Sequence, residues 1–313
     1  MKHILTVLTV LVAALAAVAQ QQDFGQMDFA ALLQQADGGN AEAQYELAER
    51  YKRGVGGAEK NGARAAHYYE LSAGQDYPQA MFGLGMCYLT GFGKERDFEQ
   101  GVMWVRRAAN RGVVDAMLIL GSCYEEGGFG LPKDGRQAAY WYGKAAEQGN
   151  ADGQNSLGRC YIMGTGVEKD TVMAVEYYRK SAEQGYAIAQ YNLGGCYEKG
   201  AGVAKDLVKA VEWIRKSAEQ GYAPAQYSLG LCYENGIVVE KNLAQAIEWY
   251  RKAAEQGHAE AQYALGRCLE NGIGVGKKNP TEAVKWYRKA AEKGHVEAQY
   301  ALGRCLENGT GVE

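Results

Sequence analysis

The stretch that decides the fold begins Ala259-Glu260-Ala261-Gln262-Tyr263-Ala264-Leu265-Gly266-Arg267-Cys268-Leu269. Gly272-Ile273-Gly274-Val275 follows, then Asn279-Pro280, and then Glu282-Ala283-Val284-Lys285-Trp286-Tyr287-Arg288-Lys289-Ala290-Ala291 before Gly294. In its first part Ala261, Leu265, Cys268 and Leu269 recur at i, i+4, i+7 and i+8, which places them on one face of a helix. Gly272 suits a helix stop. Asn279 suits an N-cap and Pro280 the first helical position. In the last part Ala283, Tyr287 and Ala290 share a face with Trp286. The stretch therefore reads as helix, glycine loop, second helix.

This stretch is one copy of many. Cys87, Cys123, Cys160, Cys196, Cys232, Cys268 and Cys305 lie 36, 37, 36, 36, 36 and 37 residues apart. A fixed period of this length marks a stacked solenoid. Neither short helix carries enough apolar surface to stand alone, so each pair must bury its face on the next. Asp134, Asp170, Asp206 and Asn242 fill the second-helix cap in other copies, and Gly149, Gly185, Gly221 and Gly257 end that helix. The pairs Leu193-Gly194, Leu229-Gly230 and Leu265-Gly266 repeat a glycine inside the first helix, where it costs about 1 kcal/mol against Ala. A glycine kept there needs a close helix crossing. All five tryptophans, Trp104, Trp141, Trp213, Trp249 and Trp286, occupy one slot of the second helix, which points to core. Glu212 with Lys216 and Glu248 with Lys252 read as surface pairs at i, i+4.

Three segments follow from this reading. Residues 1–19 have the layout of a cleaved signal peptide: Lys2, an apolar run from Ile4 to Ala16, and Ala17-Val18-Ala19 before Gln20. Residues 20–40 are an expected capping segment. Residues 41–313 are seven full repeats and part of an eighth. A secreted or periplasmic location is implied, with no transmembrane segment in the mature chain. The formal charge of −3 comes with no basic patch, which sets nucleic acid aside as a partner.

The pattern Ala-x-Ala-x-Tyr-x-Leu-Gly-x-x-Tyr, Gly-x-Gly-Val-x-Lys-Asp and Ala-x-x-Trp-Tyr-x-Lys-Ala-Ala-x-x-Gly resembles the SEL-one-like repeat family, a relative of tetratricopeptide repeats. Ala187 to Tyr222 carries it through Ala189, Tyr191, Leu193-Gly194, Tyr197, Gly200-Ala201-Gly202-Val203, Lys205-Asp206, Ala210, Trp213, Ala218 and Gly221. The resemblance implies an all-α fold, a right-handed α/α superhelical solenoid with the first helices on its concave side. It also implies a scaffold or adaptor role. The first copy departs from the pattern at Ala48, Arg50 and Asp76, and the third has a longer loop at Gly127-Gly128-Phe129-Gly130-Leu131-Pro132. A cysteine-rich branch of the family, linked to penicillin binding and β-lactamase activity, supplies the alternative function. That branch staples each unit with a cysteine pair, whereas each unit here has one Cys.

Enzyme chemistry is hard to find. Stacked copies lie roughly 8–10 Å apart, too far for the 4.4–6.8 Å Cα separation of a disulfide, so the seven Cys read as small buried apolar residues. No Ser-x-x-Lys or Gly-x-Ser-x-Gly occurs and no His-rich metal cluster exists. The Gly-x-Gly-Val loops join helices and follow no strand, so they fail as phosphate loops. No cofactor or metal is expected, and the chain reads as a binding protein and not an enzyme.

The variation among copies is informative. Three first-helix slots at i, i+4 and i+7 change from copy to copy: Asp152, Ser156, Arg159; Ile188, Asn192, Gly195; Pro224, Ser228, Leu231; Glu260, Ala264, Arg267; Glu297, Ala301, Arg304. As one helical face, this stripe is either a binding surface or solvated drift. Read as a binding surface for a protein or peptide, it nominates Arg159, Asn192, Leu231, Arg267 and Arg304, the arginines as anchors for carboxylates or peptide carbonyls. His258 to Val275 matches His295 to Val312 at all but two positions, and the last first helix lacks a successor. End-to-end self-association through the C-terminal repeat is a further expectation.

Overall fold

A computed structural model describes residues 23–311. The expected signal peptide at residues 1–19 lies outside the described residues. Sixteen helices and no strand occur among the described residues; one isolated bridge joins Gly128 and Leu131. The first body, ending at Lys133, holds α1 (Phe29–Asp37), α2 (Ala41–Arg53), α3 (Gly62–Gly74), α4 (Pro78–Thr90), α5 (Phe98–Asn110) and α6 (Val114–Glu126). The second, starting at Asp134, holds α7 (Gly135–Glu147), α8 (Ala151–Met163), α9 (Thr171–Glu183), α10 (Ala187–Lys199), α11 (Leu207–Glu219), α12 (Ala223–Asn235), α13 (Leu243–Glu255), α14 (Ala259–Asn271), α15 (Pro280–Glu292) and α16 (Val296–Glu307). Within each body every helix packs on its sequence neighbours.

Local chemistry explains these boundaries. Asn279 Oδ1 caps α15 by accepting from the Glu282 amide at 3.1 Å, and Asp206 caps α11 through the Lys209 amide at 3.0 Å. Gly272 ends α14 in the left-handed region at φ 75°. Loop glycines also let repeats close up: a Cβ added to Gly202 would lie 2.0 Å from the Thr171 carbonyl oxygen. That is a packing role for the Gly-x-Gly loops. The helix glycines have the crossing expected of them. A Cβ at Gly266 would meet Tyr287 Cε1 at 2.6 Å, and one at Gly230 would meet Tyr250 Cε1 at 2.6 Å.

The core of the second body is built from Leu193, Leu229 and Leu265 on first helices and Tyr178, Tyr250 and Tyr287 on second helices, all buried. All seven cysteines are free and buried. Burial pushes the Cys268 thiol up to about 11, which suits a small packed residue rather than a reactive one. The tryptophan slot is core at Trp141 and Trp286, as expected, but not in every repeat. Trp213 and Trp249 are only half-buried, and the deeper position is the residue after each, Ile214 and Tyr250. Lys216 and Lys252 lie over the Trp213 and Trp249 rings at 4.1 and 4.2 Å, so they form cation–π contacts in place of the expected Glu212 and Glu248 pairs.

A buried glutamine ladder links the repeats. Gln190 Nε2 donates to the Ala182 carbonyl at 3.1 Å, and its Oε1 accepts from Gln220 Nε2 at 2.7 Å. Gln226 repeats this with Ala218 and Gln256. At Gln262 the ladder breaks. Its Nε2 still donates to Ala254 at 3.0 Å, but its Oε1 has no donor. Lys293 stands where the other repeats place that glutamine, and its Nζ turns to the Gly257 carbonyl.

Candidate functional site: a cavity where an inter-repeat staple is missing

Three slots join consecutive repeats near the end of the second body: a Glu late in a first helix, a Tyr in the second helix of the same repeat, and an Arg in the next first helix. On α13, Tyr250 Oη donates to Glu234 Oε2 at 2.5 Å; on α14, Arg267 Nη2 donates to Glu234 Oε1. One repeat further on, Tyr287 donates to Glu270 at 2.8 Å, and Arg304 donates to the same carboxylate. Both Glu side chains are largely buried, at 15 % and 17 % exposure. A buried carboxylate requires such donors. Burial works against the Arg267 charge, yet Glu234 outweighs it and raises the guanidinium pKa. Burial first, and then the Glu234 bond, raises the Tyr250 phenol far above its usual range.

The two preceding repeats lack this staple. Their slots hold Ile162, Tyr178 and Gly195, then Glu198, Ile214 and Leu231. Gly195 removes the long side chain that would reach back to α8, and a Cβ built on it meets nothing within 4 Å. A cavity of about 360 Å³ opens there, with Ile162, Tyr178, Asn192, Gly195, Glu198 and Ile214 in its wall. Lys169, Lys199, Tyr191 and Ser228 also contribute to the lining. Tyr178 is only 4 % exposed, and its hydroxyl has no hydrogen-bond partner among the described residues, because Ile162 has replaced the acceptor. Glu198 belongs to the following set, where Ile214 and Leu231 have replaced its two donors, and it is exposed on α10. Burial raises the Tyr178 phenol pKa, so the hydroxyl stays protonated at neutral pH.

The five nominated residues fare differently. Asn192 lines the cavity, and its Nδ2 donates to Asn155 Oδ1 at 2.9 Å, bridging α10 to α8. Leu231 is half-buried against the cluster around Tyr250 and Leu265. Arg267 and Arg304 already meet carboxylates, and these belong to the chain itself. Arg159 is exposed on α8, where its charge reaches the Tyr178 and Tyr186 phenols. The middle slot of the stripe is not a free surface in most repeats: Ser156, Ala264 and Ala301 are buried. Reading only first helices passed over Tyr178 and Glu198. Aligning the copies at the Glu, Tyr and Arg slots would have revealed them as members of a broken set.

No group of His, Cys, Asp and Glu among the described residues could hold a metal ion. No described helix is long and apolar enough to cross a membrane.

The comparisons with known proteins agree on the architecture. A family model described as "Sel1 repeat" matches residues 41–77, 78–113, 114–150, 151–186, 187–222, 223–258, 259–295 and 296–313. The solved Sel1 repeat protein from Oxalobacter formigenes aligns with 34% identity over 87% of this chain and 78% of that one, at a TM-score of 0.75. An antigen of uropathogenic Escherichia coli, c5321, described as protective and as displaying an SLR fold, aligns with 33% identity over 90% of this chain and 68% of that one, at a TM-score of 0.68. Chitin synthase regulatory factor 3 of Schizosaccharomyces pombe is 34% identical over 91 residues, which cover 28% of this chain and 10% of that protein.

Proposed function

This chain belongs to the Sel1 repeat family, and from that premise we propose that it is a scaffold whose first-helix face binds a protein or peptide partner. Sel1 repeats are generally non-catalytic interaction scaffolds. The observation that carries the reading is the cavity of α8 to α12: it opens on the variable first-helix stripe, includes Asn192, and presents polar groups whose partners the neighbouring repeats supply internally. A pocket with apolar walls and a few convergent polar groups is what recognition of a side chain requires. Photo-crosslinking in the native cell tests this. A photoreactive residue at Asn192 is expected to give a protein adduct, whereas one at Lys285, exposed on α15, is not; an adduct from Lys285 alone would move the binding face.

We also propose export, with cleavage after Ala19, so that mass spectrometry of the mature chain finds Gln20 at its start. The cysteine-rich enzyme reading predicts turnover of a chromogenic β-lactam by purified protein; the scaffold reading predicts none. The C-terminal repeat offers a second contact. Tyr300 on α16 is 76% exposed, while its counterpart Tyr263 stacks on His295 of the following repeat at 4.8 Å. If copies associate end to end through Tyr300, the mass measured by light scattering rises with concentration, and Tyr300→Glu abolishes the rise.

A further inference from the structure

We propose that the cavity beside Gly143 accepts an arginine side chain from a partner protein, in the place of an arginine that the chain itself supplies in other repeats. The site holds neither Asn192 nor any residue of the variable first-helix stripe, so the inference goes beyond the function proposed above and does not rest on it. It follows from a second inter-repeat pair, complete elsewhere and half missing here.

Six first helices carry a tyrosine at the same position: Tyr51, Tyr88, Tyr124, Tyr161, Tyr197 and Tyr233. All but Tyr161 meet a cation of the chain. Arg106, Arg179 and Arg215, each 18 residues earlier in the second helix of the preceding repeat, donate to the hydroxyls of Tyr124, Tyr197 and Tyr233 at 2.6, 3.3 and 3.0 Å. Arg64 donates to Tyr51 at 3.1 Å, and Lys94 lies over the Tyr88 ring at 5.2 Å. At the matching position before Tyr161 stands Gly143, so the arginine of that set is missing. A Cβ built on Gly143 meets nothing within 4 Å. Gly143 and Tyr161 line one cavity of about 440 Å³. Both halves of the broken pair therefore face the same space.

The wall fits a guanidinium, which carries donors only and stacks on aromatic faces. The Tyr161 hydroxyl has no hydrogen-bond partner among the described residues, and its ring stacks on Tyr177 at 5.8 Å with 7° between the planes. Tyr51 and Tyr68 form the same stack, at 6.0 Å and 7°. There Arg64 lies over the Tyr51 ring at 5.4 Å while donating to its hydroxyl, which shows the stack in its filled state. A carboxylate is also at hand. Burial first, and then the Tyr177 phenol and the Asp170 carboxylate, raise the Tyr161 pKa. In the following repeat the equivalent Asp206 holds Lys209 at 3.4 Å, and that lysine lies over the Tyr197 ring at 5.6 Å. Beside Asp170 the lysine's place is taken by Met173. Of the two cations in the cavity wall, Lys144 is bonded to Glu147 at 2.8 Å. Arg136 has no carboxylate among the described residues, so it selects a partner segment with an acidic residue next to the arginine.

Panning a random dodecapeptide display library on the full chain and on its Gly143→Arg variant tests this. The space around Gly143 is open, so an arginine there restores the pair without disturbing the core. The expected result is enrichment of arginine at a fixed position, next to Asp or Glu, on the wild type and not on the variant. In the recovered peptide, citrulline in place of that arginine is expected to weaken binding about tenfold, because the charge is lost and the shape kept. Tyr161→Phe keeps the ring and is expected to weaken binding about fivefold. Its melting temperature is expected to stay unchanged, since the hydroxyl has no bond to lose. Recovered peptides that lack arginine, or that bind equally well with citrulline or to the Gly143→Arg protein, would overturn the inference, as would no enrichment at all. None of these outcomes touches the crosslink at Asn192, which tests the first-helix face separately.

Discussion

Repeats at the two ends of the second body share one backbone design and use it in opposite ways. From α12 to α16 every Glu, Tyr and Arg slot is filled, and each repeat is tied to the next by a largely buried carboxylate. From α8 to α11 the same slots hold Ile162, Tyr178, Gly195, Glu198 and Ile214, and a cavity stands where the staple would be. In a stacked array each repeat needs only its neighbours, so losing one staple costs local stability without unfolding the stack. What is left is the Tyr178 hydroxyl without its carboxylate and, one repeat on, an exposed Glu198 without its arginine.

Matched substitutions in the two regions test that comparison, and the glycines have the largest effect. Gly266→Ala drives a methyl into the Tyr287 ring and is expected to destabilise the chain by about 1–3 kcal/mol, as overpacking does. Gly195→Ala meets nothing and is expected to gain up to about 1 kcal/mol from helix propensity. Urea denaturation of both variants reads the two signs; equal effects would erase the distinction between the regions. The tyrosines come next. Tyr250→Phe leaves Glu234 with one donor fewer in a buried position, a loss of about 1–2 kcal/mol. Tyr178→Phe removes a hydroxyl with no partner and is expected to leave the melting temperature unchanged or slightly raised.

Lys293→Gln should restore the ladder by giving Gln262 Oε1 its donor, with a gain of about 1 kcal/mol visible as a raised melting temperature. A drop would mean that the Lys293 contact with Gly257 contributes more than the glutamine bond. The smallest effect is one of pH. His258 Nδ1 caps α14 by accepting from the Ala261 amide, which only an unprotonated nitrogen can do. Burial lowers its pKa below 6.5, with Lys293 adding to the shift and Glu260 opposing it. The unfolded chain therefore binds the extra proton first. The stabilisation is whole above pH 6.5 and is lost as pH falls through the lowered folded value. His258→Asn, which caps without titrating as Asn150 does on α8, is expected to flatten this dependence by less than about 1 kcal/mol.

Much of this architecture was legible because each repeat restates its own rules. Asn279 before Pro280, Gly272 after Asn271 and the apolar set Ala261, Leu265, Cys268 and Leu269 each find the role their spacing implied. The Leu-Gly pairs also announced a close crossing, although only the packing names Tyr250 and Tyr287 as what crosses there. The cavity was harder to see. Its residues come from α8, α9, α10, α11 and α12, and a face drawn on one helix holds only some of them. Arginine in the variable stripe looked like a free anchor because its partner sits 33 or 34 residues earlier, on a helix stacked behind it. Variation at Arg267 and Gly195 reports whether a staple is present, which exposure alone does not reveal.

The most direct measurement of the central claim is native-state hydrogen–deuterium exchange of Glu234→Gln and Glu198→Gln beside the unsubstituted chain. The account predicts faster exchange across α12 to α14 for Glu234→Gln, which breaks a staple, and no change for Glu198→Gln, which has none to break. Faster exchange of α10 to α12 in Glu198→Gln, or none in Glu234→Gln, would contradict it.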